Sequence, residues 1–525
     1  MTEHAPFRTL GDIPRIHAAR HPEGLALHQE GRDTTWAQWD RVCNQVAHAL
    51  LASGAGPAGR IGYLGKNSDR FFHVFFGSAR AGLVTVPINW RLTVPEMAFI
   101  LEDAGCEILF LGADYLPLLQ ELRGRCPRLR EIVSVDGPAE GTTALADWLR
   151  DRPGTDPCIG MSGDDVVLQL YTSGTTGLPK GAQLTHGNLL FAASRGATEE
   201  LGRWRSDDMS VLPLPLFHAG GLVYGLSGPY AGCATVIVRE PNPALIFAAL
   251  RSAPRPATRL GVVPAVLQMM LAQPDLAEAD FSSLRTLTYG GSPIPPAVLR
   301  RAMEAFGPVL LQLFGMTETA TMGTVLRPSE HDLATPDRLA SCGRLMPGIE
   351  VRIVGLDGAA AAPGESGEIL IRGAAVMKGY WNREQDNRGA LQDGWYHSGD
   401  VGYFDAEGYL FIRDRLKDMI VSGGENVYPA EVERVLAEHP AVAEAAVFGV
   451  PSPAWGEAVK AAVVCRPGHE LTQEQLIAFA RERIAGYKCP KSIDFADALP
   501  RNATGKILKR VLREPYWAGH TRNVG

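Results

Sequence analysis

Residues 171 to 186 read YTSGTTGLPKGAQLTH, a run of hydroxyl side chains and glycines around Lys180. Glycine lets backbone N–H groups crowd an anion, the hydroxyls add donors, and the lysine adds charge. This is the chemistry of a phosphate cradle. It is not a Walker A loop, because no Gly-Lys-Ser/Thr triplet closes the glycines. The composition suits a loop rather than a helix or strand, placed between the apolar run VVLQLY and a helix beginning near Thr185. Other residues suited to chemistry are His218 in PLFHAGG, Glu318 in LFGMTET, Asp400 in YHSGD and Lys506 in NATGKILK. Taken one at a time, three of them also have an ordinary reading. His218 suits a satisfied core histidine, Glu318 a helix cap or an exposed charge, and Lys506 a solvated lysine.

The elements that position these residues follow from periodicity. RIGYLG, EILFLG, VVLQLY and ATVIV read as buried strands, with helical patterns such as RFFHVFFGSARAG between them. Strand–helix alternation predicts parallel sheets covered by helices. From about residue 335 to 414 the texture changes to short strands, EVRIVG, GEILIRG and GYLFIRD, separated by turn residues. They predict a small, mostly antiparallel, β-barrel-like subdomain. A boundary falls near RDRLKDMIVSGGENVYP. Beyond it Pro429 opens a helix with Val432, Val435 and Leu436 on one face. Strands AEAAVFGV, KAAVVCR and SIDFAD and the helix TQEQLIAFARERI complete an α+β domain. The expected fold class is α/β: a large N-terminal body, 1–414, and a small mobile C-terminal lid, 415–525.

The chain has 525 residues, too many for one core, and a formal net charge of −7. That balance argues against a general nucleic-acid or anionic-membrane binder. Eight cysteines with no CxxC pair fit a reduced, cytoplasmic chain without structural zinc. The start of the chain lacks the pattern of a signal peptide, and no apolar run approaches the ~18 residues of a membrane span.

YTSGTTGLPKG resembles the signature loop of the adenylate-forming enzymes, the superfamily of acyl-CoA synthetases, aryl-CoA ligases, beetle luciferases and peptide-synthetase adenylation domains. PLFHAGG, YGGSPIP, LFGMTET, YHSGD, DRLKDMIVSGGENVYPAEVE and PRNATGKILKR follow in that family's order. The resemblance spans nearly the whole chain. It implies activation of a carboxylate at the α-phosphate of ATP, release of pyrophosphate, and displacement of AMP by a thiol.

The resemblance also assigns roles. Thr172, Ser173, Gly174, Thr175, Thr176, Gly177 and Lys180 match holders of the β- and γ-phosphates. Thr317 matches the hydroxyl at the α-phosphate and Glu318 the carboxylate for Mg²⁺, a hard cation that prefers oxygen ligands. Asp400 and Arg415 match ribose contacts. Gly291, Ser292 and Pro293 match positions along the adenine, Gly315 matches a further ATP/AMP-binding position, and Phe314 stands where the family usually has a stacking Tyr. Lys506 matches the lysine that bridges carboxylate and α-phosphate during adenylation, and Lys417 the hinge of the C-terminal domain. For coenzyme A the matches are Gly423, Gly424, Trp455 and Tyr487; Cys489 stands where aryl-CoA ligases carry Arg.

His218, Gly220, Gly221, Gly315 and Met316 match the acyl pocket, with His218 as its gate. The segment after Phe217 carries no acid to hold a substrate amine and no cation to hold a second carboxylate. Gly220, Gly221, Gly225 and Gly228 either leave room for a bulky acid or are packing positions; the sequence leaves both open. The resulting expectation is an ATP- and Mg²⁺-dependent carboxylic acid–CoA ligase acting on a fatty or other apolar acid. An aryl-CoA ligase is the nearest alternative, and a non-catalytic nucleotide-binding relative a more distant one. The implied partners are the acid, ATP and coenzyme A, without nucleic acid or integral membrane contact; a homodimer is compatible with this.

Overall fold

The computed structural model describes residues 7–172, 178–196, 198, 201–355, 357–422, 425–501 and 507–518. Ser173, Gly174, Thr175, Thr176, Gly177, Gly423, Gly424 and Lys506 lie outside the described residues.

RIGYLG and EILFLG supply Arg60–Leu64 and Ile108–Leu111, adjacent parallel strands with Ile61 opposite Ile108. Both are buried almost end to end, as expected of strands covered on two faces. They sit in a sheet ordered Gly379–Tyr380, Lys180–Thr185, Val166–Thr172, Val84–Pro87, Arg60–Leu64, Ile108–Leu111, Glu131–Ser134, Thr143–Ala144. A second sheet runs Arg344–Leu345, Thr324–Leu326, Leu310–Phe314, Thr286–Gly290, Arg259–Val262, Met209–Leu212, Ala234–Ile237, Leu25–Gln29, Arg32–Thr35. Its strands from Leu310–Phe314 through Ala234–Ile237 to Leu25–Gln29 are parallel.

RFFHVFFGSARAG forms the helix Asp69–Ala81, capped by Ser68, whose hydroxyl accepts from Phe71 N, and ended by Gly82 at φ 73°. Phe71, Phe72, Phe75 and Phe76 are all buried. This helix packs on Trp36–Ala52 at Gly77, where a Cβ would stand 2.5 Å from Val46. The close approach requires glycine.

One expectation needs correcting. The stretch 171–186 is not a loop throughout, because Lys180–Thr185 is a strand antiparallel to Val166–Thr172, with Thr172 opposite Lys180 and Tyr171 opposite Gly181. A Cβ on Gly181 would lie 2.7 Å from the Gln169 side chain, so glycine here serves strand pairing rather than an anion. Ala182 and Leu184 supply the buried apolar side chains. The connection between the two strands is therefore 173–179, and the helix His186–Arg195 follows the second strand, N-capped by Thr185.

The chain divides into two compact units, residues 1–351 with 371–396, and 352–370 with 397–525. It passes between them within Ile349–Val354, Gly367–Gly373 and Trp395–Phe404, three strands of a small sheet that includes the antiparallel pair Trp395–Phe404 and Leu410–Arg415. In the second unit Ile420–Ser422, Glu425–Val427, Val442–Ser452, Gly456–Cys465 and Ser492–Phe495 form another sheet. The helix Pro429–Ala437 buries Val432, Val435 and Leu436 against it, together with Leu476 and Ala480 of Gln473–Arg481. Pro429 occupies the first helical turn, where its missing N–H costs nothing.

Candidate active site

The candidate residues of the first unit leave the carboxyl ends of strands. Leu310–Phe314 delivers Gly315, Met316 and the short 3-10 turn Thr317–Thr319. Thr286–Gly290 delivers Gly291, Ser292 and Pro293, with Gly291 at φ 81°. Val166–Thr172 ends at Thr172, and Met209–Leu212 leads to His218. In open α/β sheets ligands bind beyond these ends.

Glu318 is the meeting point. It is buried, and its Oε1 accepts from Tyr380 Oη at 2.8 Å and from Thr172 Oγ1 at 3.3 Å. Thr172 ends a strand of one large sheet and Glu318 follows a strand of the other, so this contact ties the two together. Met377 N donates to the Glu318 backbone carbonyl at 2.8 Å. Burial and the adjoining carboxylate push the Tyr380 phenol well above its ordinary value, so it stays a donor. Among the described residues both side-chain hydrogen bonds to the carboxylate fall on Oε1, and no cluster of three His, Cys, Asp or Glu forms a metal cage. A single carboxylate fits Mg²⁺, which is usually held by one or two carboxylates, substrate phosphates and water.

Lys180 Nζ lies 2.6 Å from Asp386 and 5.5 Å from the Tyr380 ring centroid. Phe314 ends its strand half-buried, opposite Thr324. His218 is the N-cap of Ala219–Ala231, with its ring 4.4 Å from that of Phe217, which in turn meets Trp90 edge-on at 5.8 Å. Burial and the Arg91 cation push His218 down to about 4, so it is neutral at physiological pH. Of the glycines that follow, Gly220 faces open space. Gly221, Gly225 and Gly228 face the Pro215 carbonyl, Leu212 with Phe72, and Thr235 with Cys233. Gly315 faces the Thr321 backbone.

In the second unit Asp400 and Arg415 pair, Nε to Oδ1, at 2.6 Å. Lys417 occupies the 3-10 turn Leu416–Asp418 that follows the strand carrying Arg415. Trp455 and Tyr487 are 48% and 39% exposed, unusually open for aromatic side chains. Lys491 Nζ lies 5.7 Å from the Trp455 ring and Lys488 Nζ 5.8 Å from that of Tyr487. Cys489 is buried in the domain core, 3.6 Å from the Ala485 carbonyl, so the position where aryl-CoA ligases carry Arg offers no cation here.

The sequence reading missed Tyr380 and Asp386. Tyr380 stands in MKGYW, where nothing distinguishes it from a core aromatic. Only the pairing of Gly379–Tyr380 with Lys180–Thr185 brings its hydroxyl to Glu318.

A sequence profile described as AMP-binding enzyme matches residues 15–381, and one described as AMP-binding enzyme C-terminal domain matches 431–506. The chain belongs to the AMP-binding enzyme family. It is 39% identical over 529 residues to a fatty acid–[acyl-carrier-protein] ligase of Streptomyces coeruleorubidus, covering 99% of both chains. It is 39% identical over 509 residues to a feruloyl-CoA synthase of Amycolatopsis, covering 97% of this chain and 99% of the relative. Its fold matches a solved Mycobacterium tuberculosis fatty acyl-CoA synthetase with a TM-score of 0.78 at 35% identity, over 98% and 99% of the two chains. The protein is an AMP-forming acid–thiol ligase of the acyl/aryl-CoA ligase family, with ATP, Mg²⁺ and coenzyme A as cosubstrates and cofactor. Among the described residues no helix is long and apolar enough to cross a membrane.

Proposed function

We propose that this family member converts a fatty or similarly apolar carboxylic acid to its acyl-CoA. The observation that carries the reading is the lining around His218. A neutral histidine with Phe217 and Trp90 provides apolar surface, and the cation beside it, Arg91, lies over the Trp90 ring. The segment after His218 provides no charge for a substrate amine or second carboxylate.

In the first step a carboxylate oxygen of the acid bonds to the α-phosphorus of ATP, and the bond to the pyrophosphate oxygen breaks. Thr317 and Lys506 serve the oxygens where negative charge develops. Thr172, the 173–177 segment and Lys180 hold the departing phosphates. Mg²⁺, when bound, supplies charge neutralisation at those phosphates, and Glu318 is the residue that would hold it. In the second step the thiol sulfur bonds to the acyl carbon, AMP leaves with the electron pair of the broken bond, and the thiol proton is released. Trp455 and Tyr487 serve the CoA nucleotide, and the division into a body, 1–414, and a lid, 415–525, belongs to this reading.

The relative named feruloyl-CoA synthase favours an aryl acid as the second reading, and the carrier-protein ligase raises a second acceptor. A panel of straight-chain acids of increasing length, ferulate and phenylacetate decides, read as pyrophosphate release with CoA, with a phosphopantetheinylated carrier protein, and with neither. The apolar-acid reading expects the highest kcat/KM among straight-chain acids with CoA. Higher values for ferulate replace it with the aryl reading.

A further inference from the structure

We propose that Tyr380 is a positioning residue for Glu318, fixing one carboxylate oxygen to the protein so that the other is presented to the metal at the phosphate end of ATP. The inference rests on the reading of Glu318 as the Mg²⁺ carboxylate.

Three features point to it. The segment 377–380 grips Glu318 twice: Met377 N holds its backbone carbonyl, and Tyr380 Oη holds Oε1, each at 2.8 Å. That segment is itself built on the strand leaving the candidate phosphate loop. Tyr380 is the register partner of Ala182, Lys378 N donates to Gln183 O, and Trp381 N donates to Gly181 O. A carboxylate oriented by Tyr380 is therefore oriented relative to Lys180. Finally, a carboxylate only accepts, so the single O–H of the Tyr380 phenol is committed to Glu318, and the phenol oxygen is left to accept from the neighbouring Tyr396 hydroxyl. Packing alone does not need the hydroxyl, because phenylalanine would fill the same space beneath Lys180.

The polar neighbours that orient metal ligands typically contribute roughly 10–100-fold to metal affinity. Tyr380→Phe keeps the ring and removes only the O–H. ATP binding to the full chain is measured by calorimetry without any acid, in Mg²⁺ and in EDTA, for the wild type, Tyr380→Phe, Glu318→Gln and the double variant. The expected result is that the gain in ATP affinity due to Mg²⁺ shrinks roughly 10–100-fold in Tyr380→Phe. Affinity in EDTA stays the same, and the double variant loses no more of the gain than Glu318→Gln alone. An unchanged Mg²⁺ gain in Tyr380→Phe, beside a reduced one in Glu318→Gln, overturns the positioning role and leaves Glu318 its metal role. An unchanged gain in Glu318→Gln overturns both. An equal loss of affinity with and without Mg²⁺ shows a structural role and also overturns the proposal. If Tyr380→Phe does not fold, Tyr396→Phe removes the donor behind the phenol. A several-fold smaller Mg²⁺ gain is then expected, and no change overturns the proposal.

Discussion

Asp400 and Arg415 are register partners on adjacent antiparallel strands, and the guanidinium Nε stands 2.6 Å from the Asp400 carboxylate. Asp400 is only 5% exposed, and a buried carboxylate needs such a partner. The two residues read as ribose contacts thus form one unit. A carboxylate accepting from a vicinal diol makes hydrogen bonds to a charged group, worth about 1.5–3 kcal/mol each. Asp400→Asn is expected to raise the ATP KM by roughly ten- to a hundredfold. It should also abolish discrimination between ATP and 2′-deoxy-ATP. Steady-state pyrophosphate release with both nucleotides checks this, and intact discrimination in the variant would remove Asp400 from the ribose.

Lys506 is expected to serve adenylation only. Lys506→Ala should nearly abolish acid-dependent pyrophosphate release and spare CoA attack on supplied acyl-adenylate, since the cation acts where charge develops on the α-phosphate. Assaying the two half-reactions separately tests this. Equal losses in both would assign the lysine a general structural part.

Phe314 tests whether the ring or a hydroxyl matters at the adenine. Phe314→Tyr should leave the ATP KM nearly unchanged. Phe314→Ala should raise it by about one to two orders of magnitude, taking stacking at roughly 1–3 kcal/mol. An alanine variant with unaltered ATP affinity would make the ring a partner of Thr324 and nothing more.

The strands, the capped helices and the turns that follow the strand ends were legible because each depends on a few neighbouring residues. Ser68, Thr185 and Thr472 all cap helices that the periodicity predicts. Lys180–Thr185 was not legible, because a strand beginning Lys-Gly-Ala is specified by Val166–Thr172 across from it rather than by its own propensities. Gly220 and Gly221 differ for the same reason: adjacent and identical, one meets open space and the other a carbonyl from a different turn. Tyr380 and Asp386 reach Glu318 and Lys180 across 62 and 206 residues of sequence, a juxtaposition that no local pattern encodes.

His73 lies buried in the helix Asp69–Ala81, and its Nε2 has no hydrogen-bond partner among the described residues. Burial pushes it down to about 4 from an ordinary 6.5. The folded pKa is the lower one, so between pH 6.5 and 4 the unfolded chain binds a proton that the folded chain does not. Stability from this group is fully present above pH 6.5, falls as pH drops through that window, and is level below it. His73→Leu should remove up to about 1.4 kcal/mol per pH unit of that slope. Urea unfolding at pH 7.5, 6, 5 and 4 measures it, and parallel curves for the variant and wild type would mean that His73 titrates normally.

The final expectation concerns motion. Lys506, Trp455 and Tyr487 all follow the DRLKD junction, yet the proposed function gives one of them to adenylation and two to the thiol. A rotation of the C-terminal domain between half-reactions would reconcile these roles, and Lys417 is the proposed hinge. A hinge residue absorbs a large backbone dihedral change. Lys417 sits in a 3-10 turn, Leu416–Asp418, closed by Met419 N donating to Arg415 O and Leu416 O. Proline fixes φ near −65° and removes a backbone donor, and therefore resists a change of dihedral at a hinge. Lys417→Pro is expected to form acyl-AMP at a near-normal rate while thioester formation falls by orders of magnitude. Because ψ remains free in proline, some residual transfer is expected. Lys417→Ala keeps backbone freedom and should be far milder. Rapid-quench measurement of acyl-AMP and acyl-CoA separates the two steps. If the proline and alanine variants make acyl-CoA equally fast, Lys417 is not the hinge.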